Sequence, residues 1–257
     1  MTATLESMVH AARERVKHAP DANGMRARAE AHKSRGFRAA LECAAQRGPA
    51  VIAELKKASP SKGLIRADFS PGALARELES AGATALSVLT DVDFFQGSLP
   101  NLDSASQSVR IPCLRKDFIV HPSQVVESRA YRADAILLIV AALSNTELRE
   151  LQSAAESEKL DVLCEVHDEF ELSRALDLGF DLIGVNNRDL KTFEVKLGTA
   201  LRLASMIPDG IVRVAESGIS SAADIRRLRE AGYHAFLIGE ALMKAEHPAE
   251  KLKEFLQ

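Results

Sequence analysis

The chain of 257 residues has no tryptophan, only three cysteines and almost no net charge. Each shortage removes a class of answer. Cys43, Cys113 and Cys164 are odd in number and far apart, so they outline no disulfide framework and fit a reducing compartment. No metal-ligand cluster forms around them. With 33 Lys and Arg against 36 Asp and Glu, a net charge of −3 and a pI near 6.2, the basic footprint of a nucleic-acid binder is missing. The longest apolar run, AILLIVAAL from Ala135 to Leu143, is far below the roughly 18 residues of a membrane span. The opening MTATLESMVHAARERV interleaves charge with its apolar positions and lacks the unbroken apolar core of a signal peptide. The expectation is a soluble, cytoplasmic protein with no nucleic-acid or membrane partner.

What is present has two textures. Residues 1–48 read as helix. Leu5, Met8, Val9, Ala12 and Val16 recur at helical spacing, with Arg13, Arg15 and Lys17 on the other face. A second helical stretch, about Phe37 to Gln46, carries Phe37, Ala40, Leu41 and Ala44 on one side, and HAPDANG breaks the chain between the two. From residue 49 to 257, short apolar strands alternate with helices. The strand cores are VIAEL at 51, ALSVL at 85, CLRK at 113, AILLIV at 135, VLCEV at 162, LIGVN at 182, IVRVAE at 211 and AFLIG at 235. Helix starts such as SPGALARELESAG, HPSQVVESRAYRA and SSAADIRRLREAG follow them, several closing on a C-cap glycine.

Eight βα units predict an α/β fold, a closed (β/α)8 TIM barrel of residues 49–257 with residues 1–48 as a helical extension of the same domain. An open doubly wound sheet is the second choice. Against it, the turn after the first strand reads KKASPSKG and has no dinucleotide fingerprint. Strand alternation then directs Glu54 and Lys56, Lys116, Glu165, Asn186 and Glu216 into the barrel at the C-terminal strand ends, where this fold places its chemistry. Such residues can form a structural ion-pair plug. Five strands ending alike, all at the C-terminal mouth, point instead to a general acid–base constellation. After the last two strands, AESGIS and LIGEALM offer Ser217, Gly218 and Gly239 for the backbone phosphate contacts that barrels make there, with Glu240 an oddity for an anion site.

Taken together, AELKKASPSKG, LTDVDFFQGS, LRKDFIV, DAILLIVA, LCEVHDEFEL, IGVNNRDLKTF and VAESGI resemble the indole-3-glycerol phosphate synthase family over nearly the whole chain. The resemblance implies a barrel with a helical N-terminal segment and conversion of 1-(2-carboxyphenylamino)-1-deoxyribulose 5-phosphate to indole-3-glycerol phosphate, with loss of CO2 and water. It implies no cofactor and no metal. By similarity, Lys116 is the general acid of ring closure, Lys56 assists at dehydration, Glu165 is the general base, Asn186 holds the departing hydroxyl or the base, and Glu54 orients the lysines. Phosphate contacts carry over to Ser59, Ser217, Gly218, Gly239 and Glu240. Many members have Ser at that last position, so a backbone contact survives there and a hydroxyl contact does not. Phe95, Phe118, Leu137 and Leu190 match the anthranilate pocket, and Arg188 and Glu216 match polar positions near the ribulose chain. Ala58 replaces a basic residue of some relatives.

The loop SPSKG reads as a mobile lid, and the extension is expected to cover the mouth, so that losing residues 1–48 harms binding more than folding. The partner implied is a small phosphorylated molecule, the chain is expected to be a monomer, and association with other tryptophan-pathway enzymes is compatible with the sequence. Two rival readings stay open. One is a Schiff-base aldolase with Lys116 as nucleophile; the other is a catalytically idle barrel that serves assembly.

Overall fold

In the computed structural model, which describes residues 4–17, 22–189 and 194–257, eight parallel strands close on themselves. They are β1 (Ala50–Leu55), β2 (Ala85–Leu89), β3 (Cys113–Lys116), β4 (Ala135–Ile139), β5 (Asp161–Val166), β6 (Leu182–Asn186), β7 (Val212–Glu216) and β8 (Ala235–Ile238). Each pairs with the next in sequence, and β8 pairs with β1 through Ala50↔Ala235 to Ala53↔Ile238. The barrel is therefore closed, and the open doubly wound alternative is wrong.

Three helices precede the barrel: α1 (Leu5–Lys17), α2 (Arg26–Ala31) and α3 (Phe37–Ala45). Between and after the strands run α4 (Pro71–Ser80), α5 (Leu99–Gln107), α6 (Pro122–Ala130), α7 (Asn145–Ser157), α8 (Glu169–Asp177), α9 (Gly198–Leu203), α10 (Ala222–Glu230) and α11 (Pro248–Phe255). Local chemistry sets their starts. Ser144 with Glu147 and Ser221 with Asp224 form capping boxes at α7 and α10, and Asp168 accepts the Glu171 N–H at α8. Gly82, Gly179 and Gly232 follow α4, α8 and α10 in the left-handed region where a glycine ends a helix at little cost.

The strands are apolar on both faces because both are covered. Val51, Ala53, Leu55, Val88, Ile136, Leu138, Ile183 and Val185 belong to the layer between barrel and helices; Ile52, Ala85, Leu114, Leu137, Leu163, Leu182 and Val214 fill the interior. That division follows the period-2 alternation of the sequence.

The extension does more than cover the mouth. Helix α1 reaches the C-terminal face, where Leu5 and Met8 border the cleft and Arg15 meets Asp91 at 2.7 Å. Helix α2 packs along α6. Helix α3 closes the opposite end: Phe37 and Leu41 are fully buried in the same interior cluster as Ile52 and Leu114. Asp134, at the foot of β4, fastens this arrangement by accepting from Arg35 N and Nε at 2.9 Å each, from Cys113 N at 2.8 Å and from His32 Nε2 at 3.1 Å. Asp161 Oδ2 accepts the Arg38 N–H at the start of α3. Deleting residues 1–48 would therefore open the barrel floor, and the expectation that binding would suffer more than folding is withdrawn for the part of the extension that includes α3.

In the first βα loop, Ala58–Ser59 and Gly63–Leu64 pair as a minimal antiparallel hairpin, with Ile65 N and Arg66 N both bonded to Lys57 O. The stretch read as a mobile lid has this much backbone order.

Phe37→Ala should destabilise the chain by about 3–5 kcal/mol, the range for losing a fully buried aromatic ring. Urea unfolding measures it, and a loss under about 1 kcal/mol would mean that α3 does not seal the floor.

Candidate active site

The cleft at the C-terminal end of the barrel encloses about 170 Å³. It gathers every site residue named from the sequence except Leu190, which lies outside the described residues. Register explains the convergence: Glu165 lies level with Ile139 and Gly184, and Glu216 level with Asn186 and Leu237, so inward side chains of different strands meet in one layer.

Lys116 ends β3 and is the electrostatic centre. Its Nζ donates to Glu165 Oε2 at 2.7 Å and to Glu216 Oε2 at 3.1 Å. Burial alone pulls the ammonium down, but Glu165, Glu216 and Glu54 override it and hold Lys116 well above the usual lysine range. Burial pushes Glu165 up, yet Lys116 and His167 win and keep it well below the usual carboxylate range. Glu216 goes the other way. Burial, aided by repulsion from Glu165, outweighs the attraction of Lys116 and pushes it up to about 8. Two carboxylates on one lysine are thus pushed in opposite directions, one toward its ionised form and one toward its protonated form, the pattern of a site that performs both acid and base chemistry. A second pair stands beside them, with Lys56 Nζ donating to Glu54 Oε1 at 2.6 Å.

Two inward glycines make room for these acids. A Cβ on Gly184 would lie 2.2 Å from Glu216 Oε1, and a Cβ on Gly239 would lie 2.3 Å from Glu54 Oε1. Gly239, read from the sequence as space for a phosphate, is also space for the Glu54 carboxylate. Ser217 and Gly218 both have positive φ, 64° and 80°. For serine this is an uncommon and costly conformation, of the kind that collects at ligand-binding turns.

The apolar wall is formed by Phe95, Phe118 and Leu137, the two rings 6.5 Å apart at 43°. Arg188 lines the rim, its N–H bonded to Asn186 Oδ1 at 3.0 Å. Glu240 does not turn its carboxylate into empty solvent. It accepts from Lys244 at 2.6 Å and lies 3.9 Å from Lys62 and 3.7 Å from Arg188.

Several contributors were not singled out from the sequence. Leu5 and Met8 were placed on a helix of the extension expected to cover the mouth, but were not named among the site residues. Asp91 and Asp117 border the cleft and bind Arg15 and Arg115 on the outer side of the strand wall. His167 lies 3.3 Å from Glu165; its place in LCEVHDEFEL, two residues after Glu165, was the available signal. Among the described residues, no group of three or more His, Cys, Asp or Glu side chains could hold a metal ion, and no helix is long and apolar enough to cross a membrane.

A family model described as "Indole-3-glycerol phosphate synthase" matches residues 5–255. The chain is 61% identical over 259 residues to the indole-3-glycerol phosphate synthase of Koribacter versatilis, covering all of both chains. It is 54% identical over 215 residues to that of Acinetobacter baumannii, covering 83% of this chain and 79% of the relative. Thiamine phosphate pyrophosphorylase from Pyrococcus furiosus superposes with a TM-score of 0.59 at 17% identity, over 82% of this chain and 95% of that one, a likeness of fold.

Because Glu216 is raised from 4.5 to about 8, the folded chain holds a proton there that the unfolded chain has released. This group therefore makes stability fall as pH rises through that window. Glu216→Gln should remove that fall, so that the variant gains on the parent between about pH 5 and pH 8, by about 1.4 kcal/mol for each pH unit. Urea unfolding of both across that range is the measurement; a constant difference would show Glu216 ionised throughout.

Proposed function

Because the chain belongs to the indole-3-glycerol phosphate synthase family, carboxy-lyases of tryptophan biosynthesis, we propose that this cleft closes the indole ring of 1-(2-carboxyphenylamino)-1-deoxyribulose 5-phosphate by lysine and glutamate acid–base chemistry. The observation that carries the assignment of roles is Lys116 Nζ held between Glu165 Oε2 at 2.7 Å and Glu216 Oε2 at 3.1 Å.

The anthranilate carbon bearing the carboxylate bonds to the ribulose carbonyl carbon, and the electron pair moving to the carbonyl oxygen needs a proton. Lys116 supplies it as general acid. Loss of CO2 returns the C–C bonding pair to the ring. Departure of the hydroxyl as water then needs a second proton for the leaving oxygen, in which Lys56 assists, and a base for the proton released, which is Glu165. Asn186 holds the hydroxyl or the base. Glu54 keeps Lys56 in place, and Glu216, neutral at the working pH, donates to substrate oxygen. Water excluded by Phe95, Phe118 and Leu137 strengthens each of these interactions. The phosphate binds Ser59, Ser217, Gly218 and the backbone at Gly239 and Glu240, with Arg188 along the chain between. The two consecutive left-handed residues at 217 and 218 support this, since such turns present backbone N–H groups to an anion. The reading needs no cofactor or metal. Residues 1–48 and 49–257 act as one domain, a reading supported by the shared core of Phe37 and Ile52; the chain works as a cytoplasmic monomer, able to associate with other enzymes of the pathway.

An absorbance or fluorescence assay for indole formation from the carboxyphenylamino substrate tests the reading directly. Lys116→Ala should lower kcat by about 10³-fold, within the range for losing a positioned acid, with circular dichroism unchanged; near-normal turnover would remove Lys116 from its role. The same assay separates the aldolase alternative, since borohydride with substrate should trap no adduct on Lys116 if it acts as an acid.

Removing residues 1–17 alone takes Leu5 and Met8 from the cleft and leaves the α3 floor in place. KM should rise at least several-fold in a chain that still folds, with a lowered unfolding midpoint because Asp91 and Asp117 lose Arg15. An unchanged KM would show that α1 does not touch bound substrate.

A further inference from the structure

The segment LCEVHDEFEL gives Glu165 to the cleft, but its His167 and Glu171 have no part in the chemistry proposed there. His167 follows β5, and its side chain is 12% exposed. Its two ring nitrogens face two carboxylates: Nδ1 lies 3.0 Å from Glu171 Oε2, and Nε2 lies 3.3 Å from Glu165 Oε1. Glu171 is itself fixed by the start of α8. Its carboxylate accepts the His167 backbone N–H at 2.8 Å, and its own N–H donates to Asp168 Oδ1 at 2.8 Å. An ionised carboxylate only accepts, so Nδ1 carries the proton shared with Glu171, and Nε2 is left facing Glu165. That approach is an ion-pair contact without hydrogen-bond geometry, for Nε2 is buried and has no hydrogen-bond partner. The other oxygen of Glu165 is held by Lys116. The base thus stands between two cations, one turned to the cleft and one behind it.

We propose that His167, held by Glu171, is the positioning residue of Glu165: it fixes Oε1 from behind and supplies the positive charge that keeps the carboxylate ionised once Lys116 turns to the substrate. The inference rests on the reading of Glu165 as general base. Its logic is that Lys116 cannot serve both groups. An acid that gives its proton to the carbonyl oxygen leaves a neutral amine, and at that moment Glu165 loses the charge of its nearest partner. A buried carboxylate without a cation is driven toward its protonated form and is then no base. Burial alone pulls His167 down, but Glu165 and Glu171 more than offset it and raise it to about 10, so the imidazolium persists across neutral pH.

The charged groups that act on it are Glu165 on β5 and Glu171 on α8; beyond Glu165 lie Lys116 on β3 and Glu216 on β7, and Arg174 on α8 acts on Cys164 of the same strand end. Arg174 gives its donors to Val140 O, Leu143 O and Asn145 Oδ1, so it is turned to the loop after β4. Among the described residues, His167 is the cation that meets Oε1 of Glu165.

The test is the pH profile of kcat for the full-length chain and three variants. His167→Asn removes the charge, so the Glu165 limb on the acid side should move up by about one pH unit. Activity would then be roughly tenfold low on that side and recover toward the parent at alkaline pH. Glu171→Gln should shift the limb in the same direction but less, because Glu165 still favours the imidazolium. A uniform loss at every pH with an unmoved limb would make His167 merely structural and overturn the proposal. If His167→Asn does not fold, an unmoved limb in Glu171→Gln overturns it equally. Glu165→Gln separates the two levels: if it is inactive while the limb of His167→Asn is unmoved, only the role of His167 falls, and if it turns over normally, the base assignment falls with it.

Discussion

An ammonium group withdrawn from water at the end of β3 is costly unless carboxylates meet it, and the two that meet Lys116 come from β5 and β7, two and four strands away around the barrel. Neither contact is local in sequence, and neither forms until the sheet has closed. The dependence runs in the other direction too. Remove the lysine, and two acids with 2% exposed side chains face one another with nothing between them. Fold and site are in this sense one electrostatic unit, in which closure of β8 on β1 brings the charges together and the charges make a polar mouth tolerable in an otherwise apolar interior. The two inward glycines belong to the same constraint, because a methyl group on Gly184 would occupy the space of the Glu216 carboxylate.

Strand alternation keeps this unit apart from a second one. Arg115 and Asp117 flank Lys116 on the opposite face of the chain, where Arg115 binds Asp117 at 2.9 Å and Glu127 at 2.8 Å and Asp117 accepts from Thr90 at 2.6 Å. One backbone segment thus has reactive charge on one side and structural charge on the other. The outer network extends through Asp91 and Asp117 to Arg15 on α1, so the helix that brings Leu5 and Met8 to the cleft is docked on the residues that hold the catalytic strand end.

Much of the inner arrangement could be read from the sequence, because parallel strands buried on both sides obey a strict period of two: once Ile52 was placed inward, Glu54 followed, and the same step gave Lys116, Glu165, Asn186 and Glu216. Capping chemistry likewise marked the helix starts. What alternation does not encode is the partner of a surface. The apolar stripes of α1 and α3 look alike in sequence, yet one faces the substrate cleft and the other fills the barrel floor, a choice made by Asp134 and Asp161 at strands far along the chain. His167 was missed for a related reason. It lies past the end of β5, where the period of two stops and a helix-capping turn takes over, and it is this turn that aims the ring. Gly239 was read as space for a phosphate, and the neighbour that the structure gives it is Glu54.

Glu240 puts a negative charge at the rim of the cleft, and its surroundings balance it. Burial pushes its carboxyl up, but Lys244, Lys62 and Lys56 pull it below the usual range, so it is ionised. Its carboxylate lies within 4 Å of three cationic side chains from three different segments, Lys244 at 2.6 Å, Arg188 at 3.7 Å and Lys62 at 3.9 Å. Three positive charges thus stand beside this one negative charge, although the whole chain is at −3. The acid in turn ties Lys62 of the first loop to Arg188 beyond β6.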